Sequence, residues 1–270
     1  MLDVGIVGCG AIGTILARFI TEDASGLRLV SISDRHIEKS ERLASTLIPQ
    51  PLVESVSQMA EHTDIIVESA SVSAVPEVAR TALSHGSQVM IMSVGALADP
   101  ELRNELMELA KKNNTKIHVP SGAIIGIDGI KAAKIIGMKR VVLKTRKHPE
   151  SLKDAPYIKE KRINLDSLTE ETLIFTGTAR EATTAFPTNI NVAATLSLAG
   201  IGPEKTSVEI YADPHLARNV HEIEVEGSFG RFTTRVENVP SSENPRTSYL
   251  AALSAIATLK KMTEPLQIGT

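Results

Sequence analysis

Three glycines carry the clearest chemistry in the chain. The stretch Gly8-Cys9-Gly10-Ala11-Ile12-Gly13 follows the apolar run Val4-Gly5-Ile6-Val7 and precedes the helical pattern Thr14 to Ile20. A strand, a tight turn and a helix, with G-x-G-x-x-G at the turn, form a dinucleotide-binding fingerprint. Gly8 allows the sharp turn, Gly10 leaves room for a pyrophosphate, and Gly13 lets the helix lie close on the strand. The N–H groups that open the helix, at Ala11, Ile12 and Gly13, have no carbonyl behind them, and the helix dipole favours negative charge there. The same fingerprint asks for an acid at the end of the next strand, about 20 residues on. Leu27 to Ser33 reads as that strand, and Asp34 closes it. A carboxylate there holds a ribose 2′-hydroxyl and repels a 2′-phosphate, which points to NAD. Arg35 beside it has the geometry to grip a 2′-phosphate, so NADP stays open as a second cofactor.

An oxidoreductase of this kind also needs a group that handles protons while hydride moves. Of the seven histidines, His36, His62, His85 and His148 fall in polar helices or loops and read as surface residues. His118 falls in a strand and reads as a buried, satisfied side chain. That leaves His221, in a strand between Val220 and Ile223, and His215, in the turn Asp213-Pro214-His215. The strand favours a fixed orientation and the turn does not, so His221 leads and His215 is held in reserve. A second polar set, Phe186-Pro187-Thr188-Asn189-Ile190-Asn191, enters an apolar helix. One of its asparagines fits a helix N-cap; otherwise the amides of Asn189 and Asn191 would hold the cofactor carboxamide or the substrate. Cys9, the single cysteine, excludes an internal disulfide or a multi-cysteine metal site, and no metal is expected. A bound pyrophosphate would cover Cys9, so it reads as a small buried side chain rather than a nucleophile.

The elements that must position these groups alternate. Helices are expected over Ile37 to Leu47, Val75 to Ser84 and Pro100 to Lys112, with buried strands at Asp64 to Glu68, Gln88 to Met92 and Lys116 to Val119. Strands alternating with helices imply a doubly wound parallel sheet, whose ligands sit beyond the strand C-termini. The small polar segments Ser69-Ala70-Ser71 and Ser93-Val94-Gly95 end strands on that edge, so both are expected to line the cofactor cleft, Ala70 and Ser71 foremost.

At Pro120-Ser121-Gly122 the character changes, which divides a dinucleotide-binding domain, 1–120, from a second domain, 121–244. There Ile130 to Ile136 reads as a helix and Arg140 to Arg146 as a strand, while Lys144-Thr145-Arg146-Lys147-His148 reads as a solvated charge run. Ser207 to Tyr211, Asn219 to Glu226 and Phe229 to Glu237 alternate apolar and polar residues, as an antiparallel sheet with one wet face does. Tyr249 to Lys261 is an apolar-striped helix, and the segment 245–265 that contains it is expected to pack back on the first domain. Together these describe an α/β chain, a Rossmann domain followed by an α+β domain.

Bulk properties narrow the classes further. A formal net charge of -3 with pI near 6.2 gives no electrostatic case for nucleic acid, and absent tryptophan argues against base-stacking platforms. No apolar run is long enough to span a membrane, and the N-terminus lacks the pattern of a signal peptide. A cytoplasmic location is the expectation.

The glycine turn, Ser121-Gly122-Ala123-Ile124, Phe186 to Ala194, Ala212-Asp213-Pro214, Asn219-Val220-His221-Glu222 and Asn244-Pro245-Arg246-Thr247-Ser248 together resemble the L-aspartate dehydrogenase family, over nearly the whole chain. The resemblance implies a homodimer of two-domain subunits whose second domain carries catalysis and dimer contacts. It implies interconversion of L-aspartate with oxaloacetate and ammonia through iminoaspartate, with NAD or NADP, feeding NAD biosynthesis. By the same resemblance the active-site histidine corresponds to His221, and cofactor contacts fall at Ala123 and at Asn189 or Asn191. Cationic partners for the substrate carboxylates would come from Lys131, Arg218 or Arg246. Rival readings are a dihydrodipicolinate reductase or homoserine dehydrogenase, whose second-domain motifs are not found here, and an NAD(H)-sensing protein, which would be expected to carry a DNA-binding segment or basic surface.

Overall fold

Short apolar runs that return through helices can only pair in parallel, and burial on both faces makes them continuous rather than alternating. The structure is a computed structural model and describes residues 1–22, 26–187, 190–241, 244 and 247–269. The chain divides into two compact units, the first built from Met1–Gly122 and Ala251–Ile268, the second on Ala123–Leu250.

The first unit opens with β1 (Leu2–Val7), α1 (Ala11–Glu22), β2 (Leu27–Ser33), α2 (Ile37–Ala44), β3 (Leu52–Val53) and α3 (Val56–Ala60). It continues with β4 (Ile65–Glu68), α4 (Val75–Ser84), β5 (Gln88–Ile91), α5 (Pro100–Lys112) and β6 (Ile117–His118). The strand order is β3-β2-β1-β4-β5-β6 and every pairing is parallel. This is the doubly wound Rossmann arrangement, with its order reversing between β1 and β4. At that point the outgoing chains diverge and leave a crevice beyond the strand ends.

Local chemistry sets the helix limits. In α5, Asp99 caps the start by accepting the Glu101 N–H at 2.9 Å, Pro100 occupies the first turn, and Lys111 and Lys112 sit in the last. Gly5 inside β1 is needed for another reason. A Cβ there would stand 2.5 Å from the Met59 sulfur of α3, which packs directly on the strand.

The second unit contains α6 (Ile127–Ile136), β7 (Met138–Lys147), α7 (Pro156–Lys161), β8 (Thr172–Thr178), α8 (Ala179–Ala185), α9 (Ile190–Ala199), β9 (Thr206–Ala212), β10 (Asn219–Gly227) and β11 (Gly230–Asn238). Its sheet runs β11-β10-β7-β9-β8. β10 and β11 form the expected antiparallel pair, but β9 does not join them. β7 lies between, parallel to β9 and antiparallel to β10. The reason is visible in β7 itself, where consecutive Val141, Val142 and Leu143 are all buried, so this strand needs cover on both faces and takes the centre.

The charge run Lys144 to His148 is correspondingly not a solvated segment. Lys144 pairs with Glu224 and, at 3.7 Å, Glu222, while Arg146 reaches Glu171 at 2.9 Å. Thr145 and Lys147 alternate to the opposite face. The chain ends in α10 (Tyr249–Thr263), whose Ala255, Ile256 and Leu259 are buried in one cluster with Val4, Ile6, Leu16 and Ile20 of the first unit.

Candidate active site

In the first unit the glycine turn is built as its residue types require. Gly8 has φ +99°, and a Cβ on it would lie 2.7 Å from the backbone of Ala70. A Cβ on Gly13 would lie 1.9 Å from the Gly8 carbonyl oxygen, so only glycine lets α1 sit on the turn. Around Gly10 a Cβ would meet nothing within 4 Å, which leaves an open cradle at the helix N-terminus. The first N–H bond of the helix is Thr14 N to Gly10 O at 2.9 Å. The N–H groups of Ala11, Ile12 and Gly13 precede it, as an anion site needs.

Asp34 is tied to this turn rather than merely following it. One carboxylate oxygen accepts the Cys9 N–H at 2.8 Å and the other the His36 N–H at 2.9 Å. A carboxylate has about four lone-pair sites, so two remain for ribose hydroxyls. Arg35 is exposed, with its Nε 3.1 Å from the His36 ring. Cys9 is half-buried, and burial, then the Asp34 charge, push its thiol up to about 11. That removes it as a nucleophile at neutral pH.

Glu68 organises the next rim. It is fully buried at the end of β4, and its Oε1 accepts the N–H groups of Ala70 at 2.9 Å and Ser71 at 3.0 Å. Ser93 donates its hydroxyl to Oε1 at 2.8 Å and its N–H to Oε2 at 3.0 Å. Burial pushes the Glu68 carboxyl up, and these four donors pull it back. One side chain thus holds the loops after β4 and β5 together, while Ser69 donates its hydroxyl to Gly8 O at 3.0 Å. Ala70 and Ser71 stand exposed on the rim. Ser93, Val94 and Gly95 do not: they are buried, so the second segment supports the rim instead of lining it.

The second unit places His221 in β10, directly opposite Thr145 of β7. Its Nδ1 is 3.1 Å from Thr145 Oγ1, and only 6% of its surface is exposed. Burial, then the nearby Lys147 charge, lower its pKa to about 3, so the imidazole is neutral. Lys147 itself is lowered to about 8 by burial. Ala123 is held by its carbonyl, which accepts Asn238 Nδ2–H at 3.0 Å, while Asn238 Oδ1 accepts the Ser248 hydroxyl.

The remaining candidates separate. His215 is exposed, its Nε2 3.0 Å from the Thr169 carbonyl oxygen. Asn191 is exposed in the first turn of α9, whereas Asn189 and Arg246 lie outside the described residues. Lys131 and Arg218 are exposed. His36, His62, His85 and His148 are exposed too, and His118, 2.8 Å from Gln88 Oε1, is lowered by burial to about 4. Among the described residues no cluster of His, Cys, Asp and Glu would hold a metal ion, and no helix is long and apolar enough to cross a membrane.

Sequence reasoning missed Glu68 and Lys147. Glu68 had a readable signal, a carboxylate ending an otherwise apolar buried strand. Lys147 had one only in hindsight of its strand, as the residue two places beyond Thr145.

Residues 8–120 match the family described as "Homoserine dehydrogenase, NAD binding domain", and residues 128–262 match "Aspartate dehydrogenase, C-terminal". The chain is 52% identical over 271 residues to the L-aspartate dehydrogenase of Methanosarcina mazei and 51% identical over 274 residues to that of Methanococcoides burtonii, with all of each chain covered. Its structure resembles the crystal structure of the aspartate dehydrogenase of Thermotoga maritima, with a TM-score of 0.76 and 28% identity over 100% of both chains. The nucleotide-binding half matches a homoserine dehydrogenase domain model, the half that carries His221 matches the aspartate dehydrogenase model, and on that half and the full-length identity the chain belongs to the aspartate dehydrogenase family.

Proposed function

We propose that this protein is an NAD-dependent L-aspartate dehydrogenase, interconverting L-aspartate with iminoaspartate and then oxaloacetate and ammonia. The observation that carries the reading is the buried, neutral His221 locked to Thr145, in the unit that matches the aspartate dehydrogenase family. The open cradle at Gly10 and the Asp34 carboxylate tied to the turn fit NAD. When bound, NAD supplies the hydride acceptor for the substrate Cα and, in reverse, the donor.

The chain's own residues do the rest. The N–H groups of Ala11, Ile12 and Gly13 hold the pyrophosphate, and Asp34 takes the ribose hydroxyls. Glu68 keeps Ala70 and Ser71 in place at the rim, and Ala123 with Asn189 or Asn191 completes the cofactor contacts. In the tautomer with Nδ1–H donated to Thr145 Oγ1, the Nε2 lone pair serves as the base. Nε2 takes a proton from water as the water oxygen bonds to the imine carbon. It then delivers that proton to the nitrogen, and as the C–N bond breaks the added oxygen closes to the carbonyl and its remaining proton goes with the departing ammonia. A dicarboxylate arriving beside the ring favours its charged form, raising a base that burial alone keeps weak.

Arg35 beside Asp34 supports NADP as a second cofactor. The reading also includes a homodimer and the supply of iminoaspartate for NAD biosynthesis. The test is NADH formation from L-aspartate and NAD, with ammonia released in equal amount. NADH formed from L-malate instead would overturn it, and cofactor binding without turnover of either acid would favour a sensor.

A further inference from the structure

L-Aspartate brings two carboxylates, and a neutral His221 offers neither of them a charge. The structure supplies a cation where the sequence did not suggest one. Along β7, alternation puts Val141, Leu143, Thr145 and Lys147 on one face, and the first two lie in the core of the second unit. Thr145 is paired opposite His221, so Lys147 stands on the His221 face one strand repeat further on, about 6.6 Å along the strand. After burial, the Lys147 charge is the other cause that lowers the His221 pKa, so the two groups sense each other. Of the cations suggested earlier, Lys131 lies exposed on α6, Arg218 is exposed just before β10, and Arg246 lies outside the described residues.

We propose that Lys147 binds a carboxylate of the substrate and holds it beside His221. The inference rests on the functional reading above. The Lys147 ammonium is half-buried and its charge is disfavoured there, so a substrate carboxylate arriving next to it gains a charge-assisted bond to a cation already partly out of bulk water. The same contact would select for acidic amino acids over neutral ones and orient the Cα relative to the Nε2 base.

The variants are Lys147→Met, which keeps the length of the stem, and Lys147→Arg, which keeps the charge. L-Aspartate is titrated by calorimetry into protein saturated with NADH, a complex that cannot turn over, and KM and kcat are measured separately. In K147M, L-aspartate should bind about 10–100-fold more weakly, or about 1.4–2.7 kcal/mol, with KM rising in step and NADH affinity unchanged. K147R should recover most of the loss, because a purely structural role would not follow the charge. Aspartate binding equal to wild type in K147M overturns the inference. So does a kcat loss at constant KM, or a K147M defect in NADH binding that K147R does not repair. Wild-type protein that binds NADH but no L-aspartate overturns the functional reading instead, and the inference falls with it.

Discussion

Glu68→Gln is the smallest change that separates the scaffold of the cofactor rim from its surface. The glutamine oxygen, placed at Oε1, can still accept from Ala70 N, Ser71 N and Ser93 Oγ, now as a neutral acceptor. Its amide nitrogen, placed at Oε2, meets the Ser93 N–H that had approached at 3.0 Å, donor against donor. One buried N–H loses its acceptor, at about 1–3 kcal/mol, and three charge-assisted bonds weaken toward about 1 kcal/mol each. Flipping the amide is worse, since it sets the Ala70 and Ser71 N–H groups against the NH2 group. The expected loss is about 2–4 kcal/mol, which for a chain of this size lowers Tm by about 5–15 °C. Because the loops after β4 and β5 share this one acceptor, NADH affinity should fall as well, by about tenfold or more. Thermal unfolding and NADH titration of the same preparation read both effects. A variant as stable as wild type, with unchanged NADH affinity, would refute the claim that Glu68 holds the rim.

Five further outcomes follow from the geometry. Gly13→Ala forces a Cβ to within 1.9 Å of the Gly8 oxygen and should cost about 1–3 kcal/mol, while Gly10→Ala, with open space around it, should fold normally yet bind NADH at least about tenfold more weakly. Asp34→Ser should shift the ratio of NADPH to NADH affinity upward by about tenfold or more, read by parallel titrations. His221→Ala should lower kcat by about 10²–10⁴-fold with NADH affinity intact. Because the folded His221 pKa is held at about 3, below the ordinary 6.5, only the unfolded chain takes up its proton as pH falls. The stability it contributes is therefore full above pH 6.5 and drains below it, by about 1.4 kcal/mol per pH unit. Denaturant unfolding from pH 7.5 to about 5.5 should show the decline, to which His118, lowered to about 4, adds in the same window, and a His221→Gln variant should remove the His221 share and leave a shallower slope.

Periodicity made the first unit legible. Helices α4 and α5 begin where Pro76, Asp99 and Pro100 set them, and the buried strands at 65–68 and 88–91 follow from their apolar runs. The second unit was harder, for physical reasons. β8 buries only Phe175 among its central residues, so no alternation marks it, and α8 follows it without a gap. Its one readable signal was the Thr178 and Glu181 capping box, which the structure forms. The position of β7 between β10 and β9 could not be read from local order, because a strand that precedes a sheet in sequence can sit at its centre. The glycine turn, Asp34 and His221 stand out by residue type and spacing. Lys147 does not, and Glu68 shows only as a carboxylate ending an apolar strand, since the significance of each depends on neighbours 25 or more residues away: Ser93 for Glu68, His221 for Lys147.

The central claim is amino-acid dehydrogenase chemistry, and it is tested most directly by NADH oxidation with oxaloacetate and ammonium added together and each omitted in turn. The account expects NADH to be consumed only when both are present. Consumption with oxaloacetate alone would contradict it and make the protein a hydroxy-acid dehydrogenase, and no consumption of NADH or NADPH under any of the three conditions would contradict it as well.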